Sequence, residues 1–324
     1  MTPVGSGAPR PTLGFILPAT TQGELSTADG STKSTTGGAD EVAELCRRAE
    51  ATGADSLWVV DHLYWPRPVG EAFTTLAVAA LTTTRPLLGT CVLQLPLRPS
   101  SVVAKQATAL QLLSGGRFVL GLGVGIHEPE YVRAGIDYHR RGRLMDEGVA
   151  GLHQAWADPQ AGSAADYVQE PASAPVPLWF GGSSDAARKR AAAVGDGWVP
   201  LFLAPDQYRP ALAALRRETA EAGRDPEAVQ AGVVVFARIG DDDRAPVEGA
   251  QWLSDFYGLP AKAFQRHLIA GSPDACAAAL DRYAEAGARH ILVMVAGSPA
   301  VEQFGQLRAA FAAEHRHTLA GVSA

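Results

Sequence analysis

The sequence predicts an α/β protein folded as a (β/α)8 TIM barrel with loop insertions at its C-terminal face. Three observations point there. Eight short apolar runs recur along the 324 residues, rich in Val, Ile, Leu and Phe as strands buried on both faces are. Helical patterns alternate with them eight for eight, the count of a closed barrel; an open doubly wound sheet is the competing arrangement. The second run ends in an acid–base pair, Ser56-Leu-Trp-Val-Val-Asp61-His62. Parallel strands gather their carboxyl ends on one face, so this pair points into the common site of a barrel.

The predicted strands run over Leu13–Leu17, Ser56–Val60, Leu87–Leu93, Arg117–Leu122, Leu178–Phe180, Gly197–Leu201, Ala231–Ile239 and His290–Val295. The first helix, Ala39–Thr52, places Val42, Leu45 and Ala49 on one face and closes on Gly53. Glu71–Thr84 ends before Pro86, and Ser100–Leu113 ends at Gly115-Gly116. Gly142–Trp156, Ser184–Val194, Pro205–Ala222, Asp274–Ala286 and Ala300–Glu314 complete the helices.

The whole chain, 1–324, reads as one barrel domain, with residues 1–10 as a tail outside it. Three insertions break the rhythm. Ala19–Gly38 is Ser/Thr/Gly-rich and follows strand one, so it is expected to overhang the active face as a mobile flap. Ala157–Pro177 reads as an exposed connection. Gly240–Gly271 carries Trp252, Phe256, Tyr257 and Phe264 near helical spacing, enough aromatic surface to wall a pocket at the barrel mouth.

Composition narrows the partners. A net charge of −6, with no basic block beyond Arg188-Lys189-Arg190, argues against a nucleic-acid surface. No apolar run is long enough to span a bilayer, and Met1–Arg10 lacks the apolar segment of a signal peptide. Cys46, Cys91 and Cys276 are far apart, an unpaired set that suits a reducing interior. A cytoplasmic location is therefore expected. The histidines show no H-x-H or H-E-x-x-H spacing, so no metal site is predicted, and no G-x-S-x-G elbow occurs.

Four segments carry candidate chemistry. Histidine is the side chain type whose unperturbed pKa lies near neutrality, and a carboxylate next to His62 such as Asp61 can orient its ring and hold its proton; the competing reading is a surface pair at a strand end. Gly121-Leu-Gly123-Val124-Gly125 closes strand four. Its G-x-G-x-G spacing, with Glu128-Pro129 soon after, is poor for a dinucleotide phosphate loop and better for a backbone that lets something flat come close. Gly181-Gly182-Ser183-Ser184-Asp185 enters a helix, either as an ordinary N-cap or as an anion site built from backbone N–H groups, with Arg188 and Lys189 one turn in. Cys91, late in strand three, has no basic neighbour in the sequence to make it a thiolate and reads as packing. Arg143 and Glu147, four apart, form a surface helix pair.

Together these segments resemble the bacterial luciferase-like flavin and deazaflavin oxidoreductases. The resemblance rests on "GADSLWVVDHL", "LLGTCVLQLPLRPSSVVAKQATALQLLSGGRFVLGLGVGIHEPEYVRAGI", "RGRLMDEG", "PLWFGGSSDAARKRAAAVGDGWVP" and "GSPDACAAALDRYAEAGARHILVMV". Within the group, "FYGLPAKAFQRHL" is most similar to members that use the deazaflavin coenzyme F420.

The resemblance implies a barrel with the cofactor ring in its mouth. Asp61 and His62 would line the ring's edge, with His62 catalytic as hydrogen-bond partner or proton donor. Trp65 would stand beside the ring, one position out of step with the usual aromatic. A non-prolyl cis peptide is common in the family's third strand and carries over to Cys91-Val92, which would press on one ring face and leave the other for hydride transfer. Gly123, Val124 and Gly125 would pass beside the ring, and Gly181, Gly182 and Ser183 would bind the cofactor's phosphate. The chain departs from the family at Ile126, where many relatives carry Trp, and in the shortened segment after Trp156.

The leading expectation is an F420-dependent oxidoreductase moving hydride between the deazaflavin C5 and a small organic substrate. The alternative is an FMN-dependent monooxygenase supplied with reduced flavin by a separate reductase. A second alternative is a non-catalytic flavin-binding paralogue. Basic rim residues, with Arg98, Arg140 and Arg141 as candidates, would favour the polyanionic F420 tail. The resemblance also implies a homodimer, because relatives are commonly dimeric.

Overall fold

The computed structural model describes residues 10–19, 38–157 and 175–320. The expected tail and the loops at 19–38 and 157–177 lie, but for their end residues, outside these.

The chain alternates strand and helix from the start. In order these are β1 (Thr12–Ile16), α1 (Ala39–Ala51), β2 (Ser56–Val59), α2 (Ala72–Thr82), β3 (Leu87–Thr90), β4 (Leu93–Gln94), α3 (Ser100–Leu113), β5 (Phe118–Gly123), α4 (Glu128–Arg133) and α5 (Arg141–Ala157). The second half gives β6 (Leu178–Gly181), α6 (Asp185–Val194), β7 (Gly197–Val199), α7 (Pro205–Glu221), β8 (Gln230–Ile239), α8 (Ala245–Tyr257), β9 (Leu268–Gly271), α9 (Pro273–Glu285), β10 (His290–Val295) and α10 (Ala300–Ala320).

All pairings are parallel, in the order β10-β1-β2-β3-β5-β6-β7-β8, and β8 returns to β10 through His290↔Gly232 to Val295↔Ala237. That return closes the eight-stranded barrel and decides against the open sheet. Each strand is followed by a helix that covers its outer face.

Two layers of apolar side chains fill the structure. Leu13, Phe15, Leu57, Leu88, Leu120, Leu178, Val233, Val235, Ile291 and Val293 point outward to the helices. The alternate residues, among them Ile16, Trp58, Val119, Trp179, Val234 and Leu292, fill the barrel interior, as a two-residue side-chain period requires. The indoles of Trp58 and Trp179 lie 5.4 Å apart in that interior. They fit because the facing strands carry glycine: a Cβ on Gly89 would stand 2.3 Å from the Trp58 ring, and one on Gly197 2.4 Å from Trp179.

Besides the short helix α4, which the sequence reading lacked, two elements differ from it. The third run, expected as one strand over Leu87–Leu93, is broken into β3 and β4 by a cis peptide at Cys91-Val92, the bond the resemblance implied. The insertion at Gly240–Gly271 holds α8, as its aromatic spacing suggested, and also an unforeseen strand, β9. That strand pairs with the carboxyl half of β8, from Phe236↔Leu268 to Ile239↔Gly271. It can do so because β7 leaves early: it pairs with β8 at Gly197↔Gln230 and Trp198↔Ala231, and Pro200 O accepts the last bond from Val234 N. Phe202, just beyond, has φ +60. A bulky residue there is strained, and its ring is wedged against Phe236, Phe264, Tyr257 and His267. The turn at Phe202 frees the edge that β9 fills.

Candidate active site

The carboxyl ends of the strands surround a cavity of about 340 Å3. Every predicted site residue lines it: Asp61, His62 and Trp65 after β2, Cys91 and Val92 after β3, Gly123, Val124 and Gly125 at the end of β5, and Gly181, Gly182 and Ser183 at the end of β6. The structure thus brings together four separated stretches of chain.

The carboxylate on His62 is not its sequence neighbour. Asp61, 3% exposed, turns away and is held by Arg98, whose two terminal nitrogens reach its two oxygens at 2.7 and 2.8 Å, and by Gln94 N at 2.9 Å. Burial pushes the Asp61 carboxyl above its ordinary range, against the pull of Arg98 and the Gln94 bond. Arg98 is therefore committed to Asp61 rather than standing free at the rim.

His62 is instead bound by Glu130. Glu130 is fully buried at the start of α4 and gathers four donors. One oxygen accepts from Leu63 N and from Tyr64 N, and the other accepts from Gln94 Nε2 at 2.9 Å and lies 3.1 Å from His62 Nδ1. Burial raises the Glu130 carboxyl, but the bonds from His62 and Gln94 outweigh it and hold the group below its usual range. No local pattern in the sequence ties Glu130 to His62; only the fold brings the two together.

These contacts fix the tautomer. The two Gln94 Nε2 hydrogens go to Asp61 O at 3.0 Å and to Glu130 Oε2. Gln94 Nε2 also lies 3.2 Å from His62 Nδ1, but ionised Glu130 can only accept, so Nδ1 is the N–H that donates to it, which leaves Nε2 as the nitrogen that can accept a proton. The His62 ring is stacked on Trp65, centroids 3.9 Å apart, and Trp65 Nε1 donates to Phe256 O at 3.0 Å. The end of α8 thereby locks the β2 loop in place.

Gln94 also orients the other side of the site. Its Nε2 faces two oxygens, so its Oε1 must point away, and it is buried without a hydrogen-bond partner. It lies beside Gly125, where a Cβ would come within 1.9 Å of it. Val92 fills a second gap: Cβ atoms on Gly123 and Gly181 would stand 2.2 and 2.7 Å from its methyl groups. Tyr131, buried next to Glu130, donates its hydroxyl to Val124 O and so pins the glycine loop.

At the far end, Ser184 caps α6 by accepting from Ala187 N at 3.3 Å, which leaves Gly182 and Ser183 at the cavity wall. Arg188 is turned outward to Glu218 and Asp185. Arg190, one position past the expected pair, is the cation that lines the cavity, anchored by Asp146 at 2.6 Å. Burial pushes the Cys91 thiol up to about 12, so it is no nucleophile at neutral pH. Among the described residues no group of three or more His, Cys, Asp and Glu side chains is placed to hold a metal, and no helix is long and apolar enough to cross a membrane.

Comparison with known proteins decides the family. The sequence pattern of luciferase-like monooxygenases matches residues 13–258. The chain belongs to the luciferase-like monooxygenase family. It is therefore one of a group of oxidoreductases and monooxygenases. A phthiodiolone/phenolphthiodiolone dimycocerosates ketoreductase of Mycobacterium kansasii is 28% identical over 258 residues, 68% of this chain and 70% of that protein. Among solved structures, an F420-dependent secondary alcohol dehydrogenase in complex with an F420-acetone adduct superposes with a TM-score of 0.75 at 19% identity, covering 93% of this chain and 99% of the other. The FMN-bound oxygenating constituent of 3,6-diketocamphane monooxygenase from Pseudomonas putida gives 0.68 at 15% identity, covering 92% and 96%. At these identities the structures speak for the fold shared with this luciferase-like chain.

The residues of the luciferase-like cavity fit a flat cofactor with an anionic tail. The glycines at 123 and 181 let Val92 seat closely into the cavity wall, the orphaned Gln94 Oε1 wants a donor, and Arg190 with the α6 terminus suits a phosphate.

Proposed function

We propose that the protein is an F420-dependent oxidoreductase that interconverts a small organic carbonyl compound and its alcohol. The observation that carries this reading is that His62, held by Glu130, stands at the wall of a mostly apolar cavity. Reducing a carbonyl requires a proton at its oxygen as well as a hydride at its carbon. The deazaflavin, when bound, supplies a carbon that gives or takes the hydride.

This chain's own residues do the rest. His62 Nε2 gives the proton to the substrate oxygen or takes it back, and Glu130 holds Nδ1–H and stabilises the imidazolium. Gly123 and Gly125, with Val92 and Gln94 packed against them, form the wall beside the ring, and Gln94 Oε1 accepts from a donor on its edge. Gly182, Ser183 and Arg190 hold the phosphate. Phe202, Phe256 and Tyr257 exclude water from the reacting centre. The ketoreductase among the similar proteins supports a carbonyl–alcohol couple.

One observation favours the second reading, an FMN-dependent monooxygenase fed by a reductase. Arg98, a rim cation expected for the polyanionic F420 tail, is spent on Asp61, and an FMN-bound enzyme shares the fold. A titration of purified protein with F420 and, separately, with FMN, followed by tryptophan fluorescence, tests both, since Trp65 lines the cavity. Saturable quenching by F420 alone is expected. Preference for FMN moves the reading to oxygen activation, and binding of neither overturns both.

A further inference from the structure

A second cavity, of about 550 Å3, lies on the other side of the His62–Trp65 stack. The two cavities share these two side chains as a wall, but the rest of their linings differ in character. Around the second stand Tyr64 and Arg67 from the β2–α2 loop, His127 just before α4 and Arg133 at its end.

The charge there is unbalanced. Four other arginines around the barrel have carboxylates: Arg98 has Asp61, Arg188 has Glu218, Arg190 has Asp146 and Arg238 has Glu248. Arg67 and Arg133 have none within ion-pair distance among the described residues. Arg67 donates its Nε to Asp255 O at 3.1 Å, which fixes the side chain and leaves its terminal nitrogens. The Arg133 guanidinium lies over the Tyr64 ring, 5.9 Å from its centroid. His127 stands edge-on to Trp65, and its Nδ1 is buried with no hydrogen-bond partner. Glu130, the carboxylate in this wall, is already saturated by its four donors.

We propose that this second cavity binds the anionic group, carboxylate or phosphate ester, of a small molecule that approaches His62 from the side opposite the cofactor. Two guanidiniums present forked donors suited to such a group, and His127 Nδ1 supplies a further hydrogen-bonding atom at the inner wall. The volume suits a small ligand. The inference rests on this cavity alone and stands whichever cofactor fills the first one.

The test is calorimetric titration of the full chain with inorganic phosphate and with succinate, in the absence and presence of F420 or FMN. Saturable binding of at least one anion, weakened by added salt and about tenfold or more in Arg133→Gln and in Arg67→Gln, is expected, with cofactor affinity unchanged in both variants. Absence of saturable binding overturns the proposal, as does binding that both variants leave intact. Competition between anion and cofactor, with both weakened by Arg133→Gln, would assign the arginines to the cofactor's own tail and overturn it as a separate site.

Discussion

His62 Nδ1 and Glu130 Oε2 lie 3.1 Å apart although 68 residues separate them in sequence. The contact sets the function of the ring, because a donated Nδ1–H leaves Nε2 to exchange the substrate proton. Replacing the carboxylate by an amide keeps the shape but removes the charge that balances an imidazolium. Glu130→Gln is expected to lower kcat by about 10²-fold, with cofactor affinity changed little. Steady-state kinetics beside a fluorescence titration check this; unchanged kcat would remove the proton-handling role.

Glu130→Ala tests a different consequence. It strands four donors around a buried hole, and a cost of about 3–5 kcal/mol is expected, as when a buried charge partner is lost. Urea denaturation measures it. A loss below 1 kcal/mol would mean that water replaces the carboxylate.

Val92 and Gly123 should be energetically coupled. A Cβ at Gly123 would meet Val92 Cγ2 at 2.2 Å but Val92 Cβ at 3.3 Å. Gly123→Ala alone is therefore expected to cost about 1–3 kcal/mol by overpacking and to abolish cofactor binding. With Val92→Ala the contact is relieved, and a double-mutant cycle should return a coupling of about 1 kcal/mol or more. Additive effects would mean that the backbone moves instead.

How far the sequence reached follows from where its signals are local. Strand and helix alternation is written in short apolar runs, so the barrel was legible, and the residues at strand ends followed from parallel topology. Asp61-His62 was read as a working pair because the two are adjacent. Yet successive residues at a strand end point in different directions, and Asp61 went to Arg98 while His62 went to Glu130. Neither partner carries a local signature, since each contact is a long-range one. Arg190 was hidden for another reason: on a helix, the step from Arg188 turns the side chain by about half a circle, so the position facing the cavity depends on how α6 docks. β9 was missed because four residues of modest hydrophobicity resemble a loop until the edge of β8 is seen to be vacant.

The Arg98–Asp61 pair predicts a strongly asymmetric pair of variants. Both side chains are nearly buried, at 12% and 1% exposed, and the bond is bidentate. Arg98→Ala leaves an uncompensated carboxylate and is expected to cost about 3–5 kcal/mol. Adding Asp61→Asn removes the stranded charge and should recover part of that loss. Chemical denaturation of the two proteins decides it. If the double variant is as unstable as the single one, packing of the arginine stem rather than the charge holds this corner.

Stability should also fall on mild acidification. Burial holds the imidazoles of His267 and His290 below their ordinary range, with Arg266 adding to the effect at His267 and Asp55 opposing it at His290. The unfolded chain, with ordinary histidines near 6.5, then binds more protons than the folded one between the two values. Their contribution is fully present above about pH 6.5 and is lost as pH falls through that window, at no more than about 1.4 kcal/mol per pH unit for each group. Asp61, raised by burial, works in the opposite direction at lower pH, so the difference between variants is the informative quantity. His267 has no hydrogen-bond partner at Nδ1 and faces the Phe202 ring, which makes His267→Asn the cleaner probe. Between pH 7 and 5 its stability should decline less steeply than that of the parent chain, whatever its absolute value. Parallel curves would show that His267 protonates equally well in both states, and that its burial is relieved by a local opening at the β9 edge.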